Sequence, residues 1–207
     1  MKFAEVVRSE RELRGVIGEP MPRSVKKEIA HLDENCRAFI ARSPFVLVAS
    51  CDAQGRLDVS PKGDPAGFVQ VLDERTLAIP DRPGNQRADT FANVLQNPRV
   101  GLLFLIPGMQ ETLRVNGGAL IVRDVAVRER MAVRGKVPAL ALVVTVEEAF
   151  IHCTKCMLRS HLWDREFWPD LRGVPSQARF LVEHAKTGET VEQVQASLDE
   201  TRKTRLY

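Results

Sequence analysis

Apolar residues at Val25, Ile29, Leu32, Cys36, Phe39 and Ile40 recur every three or four positions, the period of one buried helix face. Ser24 can cap the start of this stripe and Pro44 stops it near Ser43, which predicts a helix over 25–42. Upstream, Ser9-Glu10-Arg11-Glu12 has the form of a capping box and predicts a short helix before Gly15. Past Pro44 the texture changes to short β runs between turn residues. Residues 45–51 predict a buried strand, Asp52-Ala53-Gln54-Gly55 a hairpin turn, and 57–62 the returning strand. Strands at 68–72 and 76–79, a polar loop at 80–85 and a helix at 86–95 follow. Then come strands at 100–106 and 112–123, a helix at 126–134, a β run at 139–146 and a helical final third. These β runs at close spacing, each reachable by a hairpin, predict a mainly β protein with flanking helices (α+β). Its architecture is a six-stranded antiparallel barrel rather than a parallel βαβ sheet. Pro61, inside a strand, predicts an edge or a bulge.

Composition narrows the function classes. The 207 residues are 44% hydrophobic, enough for one core and one domain. No apolar run approaches the ~18–20 residues of a membrane span. The opening residues hold no apolar signal core, so a cytoplasmic location is expected. Thirty Lys and Arg against 27 Asp and Glu give a net charge of +3, well mixed along the chain. A nucleic-acid partner is therefore not expected, since such proteins gather basic residues on one face. The cysteines, Cys36, Cys51, Cys153 and Cys156, suit a reducing compartment.

Three clusters carry candidate chemistry. Ser60 and Lys62, around Pro61, share one strand face, so a hydroxyl and an ammonium point the same way. Arg82-Pro83-Gly84-Asn85-Gln86-Arg87 lies between a strand end and a helix start. It offers the guanidinium groups and main-chain N–H groups that a phosphate needs. Lys155 and Arg159, in Lys155-Cys156-Met157-Leu158-Arg159-Ser160, stack two cations on one helix face, with Trp163 a turn further on. Each alone is ordinary surface chemistry; together they point to an anion. His152, Cys153, Cys156 and His161 include a C-x2-C pair but no second one, and the order is wrong for covalent haem attachment. Structural thiols and no metal are expected there. Walker, Gly-x-Gly-x-x-Gly, Gly-x-Ser-x-Gly and His-Glu-x-x-His motifs are absent.

The order of these clusters resembles the pyridoxamine 5′-phosphate oxidase-like FMN-binding split-barrel family, in an uncharacterised FMN-dependent branch. The residues that carry it are 39–45, Asp58-Val59-Ser60-Pro61-Lys62-Gly63, 80–89, 97–104, 112–117 and 152–160. The match runs over about 20–170 of a single 1–207 domain, leaving 171–207 as a helical extension. The resemblance implies a six-stranded split β-barrel and a homodimer with two FMN sites at the subunit interface. It places Ser60, Pro61 and Lys62 along the flavin and ribityl chain, and Ile79 is counted among the cofactor-binding residues. Arg82, Asn85, Gln86 and Arg87 would hold the phosphate. Glu111 would reach the partner's flavin, Arg159 and Ser160 would come from the other subunit, and Lys155 is counted with the cofactor-binding residues. An FMN-dependent oxidoreductase with a small-molecule substrate or electron donor is expected. The arginine and histidine set by which the oxidase itself grips pyridoxal phosphate is not found, so the resemblance gives no substrate. The alternatives are a deazaflavin-dependent reductase, which predicts colourless protein, and a non-catalytic flavin or haem carrier or sensor.

Overall fold

The computed structural model describes residues 1–207. Three short helices lead, α1 (Glu10–Ile17), α2 (Pro22–Lys26) and α3 (Glu34–Ile40). The strands follow as β1 (Phe45–Cys51), β2 (Leu57–Gly63), β3 (Gln70–Val71) and β4 (Thr76–Pro80). After α4 (Asp89–Gln96) come β5 (Arg99–Leu105), β6 (Thr112–Val122), α5 (Val125–Glu129) and β7 (Ala141–Ile151). The chain closes with α6 (Lys155–Ser160), a 3-10 turn at Arg165–Phe167, α7 (Gln177–Ala185) and α8 (Val191–Thr204). No helix is long and apolar enough to cross a membrane.

All strands join one antiparallel sheet in the order β2-β1-β5-β6-β7-β4-β3. The sheet therefore has seven strands rather than the six of the expected barrel; each β run read from the sequence is in it, the one expected at 68–72 shortened to the two-residue β3. Consecutive strands β2 and β3 lie at opposite edges, joined by residues 64–69. That link reaches at most about 25 Å, whereas the edges of a flat seven-stranded sheet would stand about 29 Å apart. The sheet must curl, and it forms a split barrel. Alternation along the strands fills the inside: Val46 and Val48, Leu77 and Ile79, Leu102 and Phe104, Leu113 and Val115, and Leu142 and Val144 join one core. Phe104, fully buried, and neighbours like it each contribute roughly 1.5–3 kcal/mol.

The apolar stripe of 25–42 does not form one helix. Ile29 exchanges both main-chain hydrogen bonds with Ala149, at 3.1 and 2.7 Å, and Leu32 N–H donates to the Glu74 carbonyl at 2.6 Å. Asp33 then caps α3, its carboxylate accepting the Cys36 N–H at 2.8 Å. Extended backbone paired to the sheet replaces the middle of the helix. Leu32, Cys36, Phe39 and Ile40 keep the buried face, while Val25 is exposed.

Other boundaries shift for local reasons. The helix expected at 86–95 begins at Asp89, because Gln86 and Ala88 adopt left-handed backbone, with φ of 62° and 57°. The helix expected at 126–134 is α5, and the one expected before Gly15 runs through it to Ile17. The β run expected at 139–146 continues to Ile151 as β7. Its alternation changes phase at a bulge, where Asn116 pairs with Glu148 and Gly117 with Val146, leaving Glu147 as the extra residue. Inward positions accordingly move from Leu142, Val144 and Val146 to Ala149. At the β1–β2 turn, Asp52 accepts the N–H groups of Gln54 and Arg56, both at 2.9 Å, and Gly55 supplies a φ of 77°. Pro61 sits on β2, an edge strand, where its missing donor costs no ladder bond.

Candidate functional site

A cavity of about 750 Å³ opens at the β2 edge of the split barrel. Its walls come from β2, the end of β4 with the loop to α4, the first turn of α4, residues 136–140, and Arg205 with Tyr207. The volume lies within the ~300–1,000 Å³ usual for small-molecule and cofactor sites.

The period of two sets the β2 wall. Lys62, Ser60 and Asp58 pair with Val46, Val48 and Ser50, so they face the barrel interior. Lys62 Nζ donates to Ser60 Oγ at 2.9 Å, and Thr90 Oγ1 donates to Asp58 Oδ2 at 3.1 Å, tying β2 to α4. Val59 and Pro61, on the opposite face, also line the cavity, which therefore wraps round the strand edge. Asp81 completes this side: burial pushes its carboxyl upward, and the Lys62 charge pulls it back.

The second wall presents main-chain and guanidinium donors. Ala88 is the N-cap of α4 and offers no side chain to its first-turn N–H groups. Those N–H groups and the helix dipole open beside the cavity. Arg87 stands between the two left-handed residues, each strained by roughly 1–2 kcal/mol. Such strain gathers at ligand sites. Arg87 Nε donates to Asp89 Oδ2 at 2.8 Å, but with side chains 70% and 44% exposed that pair is easily exchanged. Asn85 Oδ1 accepts the Arg87 N–H at 3.1 Å and shapes the loop.

Arg82 lines the same cavity in a different state. Its Nε donates to Asp64 Oδ2 at 2.6 Å and its Nη2 to the Met131 carbonyl at 2.9 Å, with the Asp64 side chain almost fully buried. Tyr207 donates its hydroxyl to the other Asp64 oxygen at 2.5 Å.

The cavity thus gathers Ser60, Pro61, Lys62, Arg82, Asn85, Gln86 and Arg87. Ile79 is buried in the core beneath it. Glu111, just before β6, and Lys155, Arg159 and Ser160, on α6, do not line their own chain's cavity. Trp163 donates its indole N–H to the Met109 carbonyl at 2.8 Å, anchoring the segment after α6 to the β5–β6 connection. His161 pairs with Asp164 at 3.0 Å and stacks on Phe167, and Cys153 and Cys156 are both exposed. Sequence reasoning missed Asp64, Asp81, Lys136, Arg205 and Tyr207. Asp81 was adjacent to a flagged motif, whereas Tyr207 had no local signal beyond being the one tyrosine of the chain.

The profile of the family described as pyridoxamine 5′-phosphate oxidase matches residues 32–153. Among solved structures, the chain is similar to a putative pyridoxamine 5′-phosphate oxidase from Lactobacillus delbrueckii. The two share 21% identity over 59% of this chain and 95% of the other, with a TM-score of 0.48. An FMN-binding protein from Syntrophomonas wolfei aligns at 15% identity over 59% and 86% of the two chains, TM-score 0.47. HutZ, the heme storage protein from Vibrio cholerae, aligns at 18% over 58% and 94%, TM-score 0.43. No curated protein matches the sequence.

Proposed function

Because the chain belongs to the pyridoxamine 5′-phosphate oxidase family, we propose that the β2-edge cavity holds FMN and that the protein is a flavin-dependent oxidoreductase. The observation that carries this reading is the uncapped α4 N-terminus beside Arg87, facing a cavity whose other wall presents Lys62 and Ser60. The donor set fits the cofactor. A phosphate dianion takes main-chain N–H groups of a helix start and an exchangeable guanidinium. In this reading Arg87, Asn85 and Gln86 hold that phosphate. Lys62, steadied by Ser60, presents a positive charge to the ring system, and Asp81 sets the local charge balance beside it. Arg82 is a positioning residue, its bonds to Asp64 and Met131 fixing the loop that carries the others. When bound, the flavin supplies the redox chemistry; the chain supplies binding, orientation and electrostatics.

The outer face of β2, β1 and β5 supports a homodimer. Leu57, Val59 and Pro61 lie beside Cys51, Ala49 and Leu47, and the last two beside Gly101 and Leu103, one apolar surface with Leu57 83% exposed. The cavity opens onto this face through Val59 and Pro61. In this reading Glu111, Lys155, Arg159 and Ser160, which do not line their own chain's cavity, serve the neighbouring site.

Titration with FMN and with riboflavin tests the phosphate anchor. FMN should bind about a hundredfold more tightly, the scale of one or two charge-assisted bonds. Equal affinities would contradict the reading.

A further inference from the structure

One wall of the cavity comes from outside the matched family region. The profile ends at residue 153, yet Arg205 and Tyr207 line the site. Helices α7 and α8 pack against each other, and the residues after α8 return to the barrel. Tyr207 is fixed there from several sides. Its hydroxyl donates to Asp64 Oδ1 at 2.5 Å, while Asp64 Oδ2 accepts from Arg82 Nε at 2.6 Å. Lys136 Nζ donates to the Tyr207 main-chain oxygen at 2.5 Å. The guanidinium carbons of Arg134 and Arg82 lie 5.2 and 5.9 Å from the ring centroid. The Asp64 side chain is 1% exposed, so the phenol helps satisfy a carboxylate withdrawn from water. A fraying tail would make no such set of contacts. With Tyr207 in place the cavity still measures about 750 Å³, so the ring is a wall and not a plug.

We propose that Tyr207, latched on Asp64, is a ligand-site residue that closes the cavity over bound flavin and governs its release. The inference rests on the FMN reading given above. A ligand behind this wall leaves when the latch opens, so breaking the latch shortens its residence. The Asp64 bond pushes the Tyr207 hydroxyl above its ordinary value, so the donor, protonated at neutral pH in any case, stays protonated further into the alkaline range. Asp64 is the positioning residue, because it holds Tyr207 on one oxygen and the Arg82 loop on the other.

The test uses the full chain loaded with FMN, diluted so that released flavin is followed by its fluorescence, for wild type, Tyr207→Phe and Tyr207→Ala. Tyr207→Phe, which keeps the ring, should release FMN roughly tenfold faster, as expected for losing one hydrogen bond to a charged group. Tyr207→Ala should be faster still, and the melting temperature of the FMN-free protein should fall by a similar modest amount in both, because Asp64 loses one donor and keeps Arg82. Unchanged release from both variants would overturn the latch and leave the cofactor reading standing. Absence of FMN binding by the wild type would overturn both.

Discussion

Arg82 and Arg87 lie on one loop, five positions apart, and have different roles because their partners differ in burial. The Arg87 pair with Asp89 is exposed and exchangeable, so the guanidinium is available to a ligand. Arg87→Ala should weaken FMN roughly tenfold or more with little loss of stability, read by fluorescence titration; an unchanged titration would remove Arg87 from the phosphate site. Arg82 neutralises a buried carboxylate. Arg82→Ala should therefore cost about 3–5 kcal/mol in urea unfolding, since it strands Asp64. The cysteines divide in the same way. Burial pushes the Cys36 thiol up to about 12, whereas Cys153 and Cys156 are exposed. Iodoacetamide at mildly alkaline pH should label Cys153 and Cys156 and spare Cys36 in the folded protein, as read by peptide mass spectrometry. Much of this scale was legible in the sequence. Ser60 and Lys62 share a face by strand period alone, and the 82–87 loop announces itself by composition and place. The partner of Arg82 was not legible, because nothing local marks Asp64 as the residue that will be buried.

Elements were read well where one period ran unbroken and poorly where tertiary bonds interrupted it. The stripe from Val25 to Ile40 has helical spacing, yet Ile29 is worth more to the sheet edge than to a helix, and Asp33 restarts the helix behind it. The sequence pattern ends the strand at Val146 because the bulge at Glu147 reverses the alternation beyond it. That bulge depends on Gly117, where an added Cβ would lie 1.9 Å from the Thr145 carbonyl oxygen. Gly117→Ala should cost about 3 kcal/mol or more, because main chain must move. Gly101→Ala should cost less: its Cβ would meet the Asn116 side-chain oxygen at 3.1 Å, and a side chain can yield. Urea denaturation of the two variants compares them directly, and equal costs would refute the bulge argument.

On the scale of the molecule, the curled sheet brings β2 and the β4–α4 loop to one cavity, and the extension after residue 170 closes it. The barrel was legible because hairpin-length links leave few alternatives. The closure was not: Asp64 and Tyr207 are 143 positions apart, and no pattern along the chain couples them. The dimer reading also belongs here. If Arg159 acts across the interface, mixing Arg87→Ala with Arg159→Ala chains should restore one intact FMN site per heterodimer, and no regained binding would place both residues in one chain's site or outside it. The central claim, that this cavity is a flavin site, is tested most directly by the visible spectrum of the gently purified protein, with mass spectrometry of what heat releases. The account predicts flavin bands near one FMN per chain. A colourless protein that also fails to bind added FMN would contradict it.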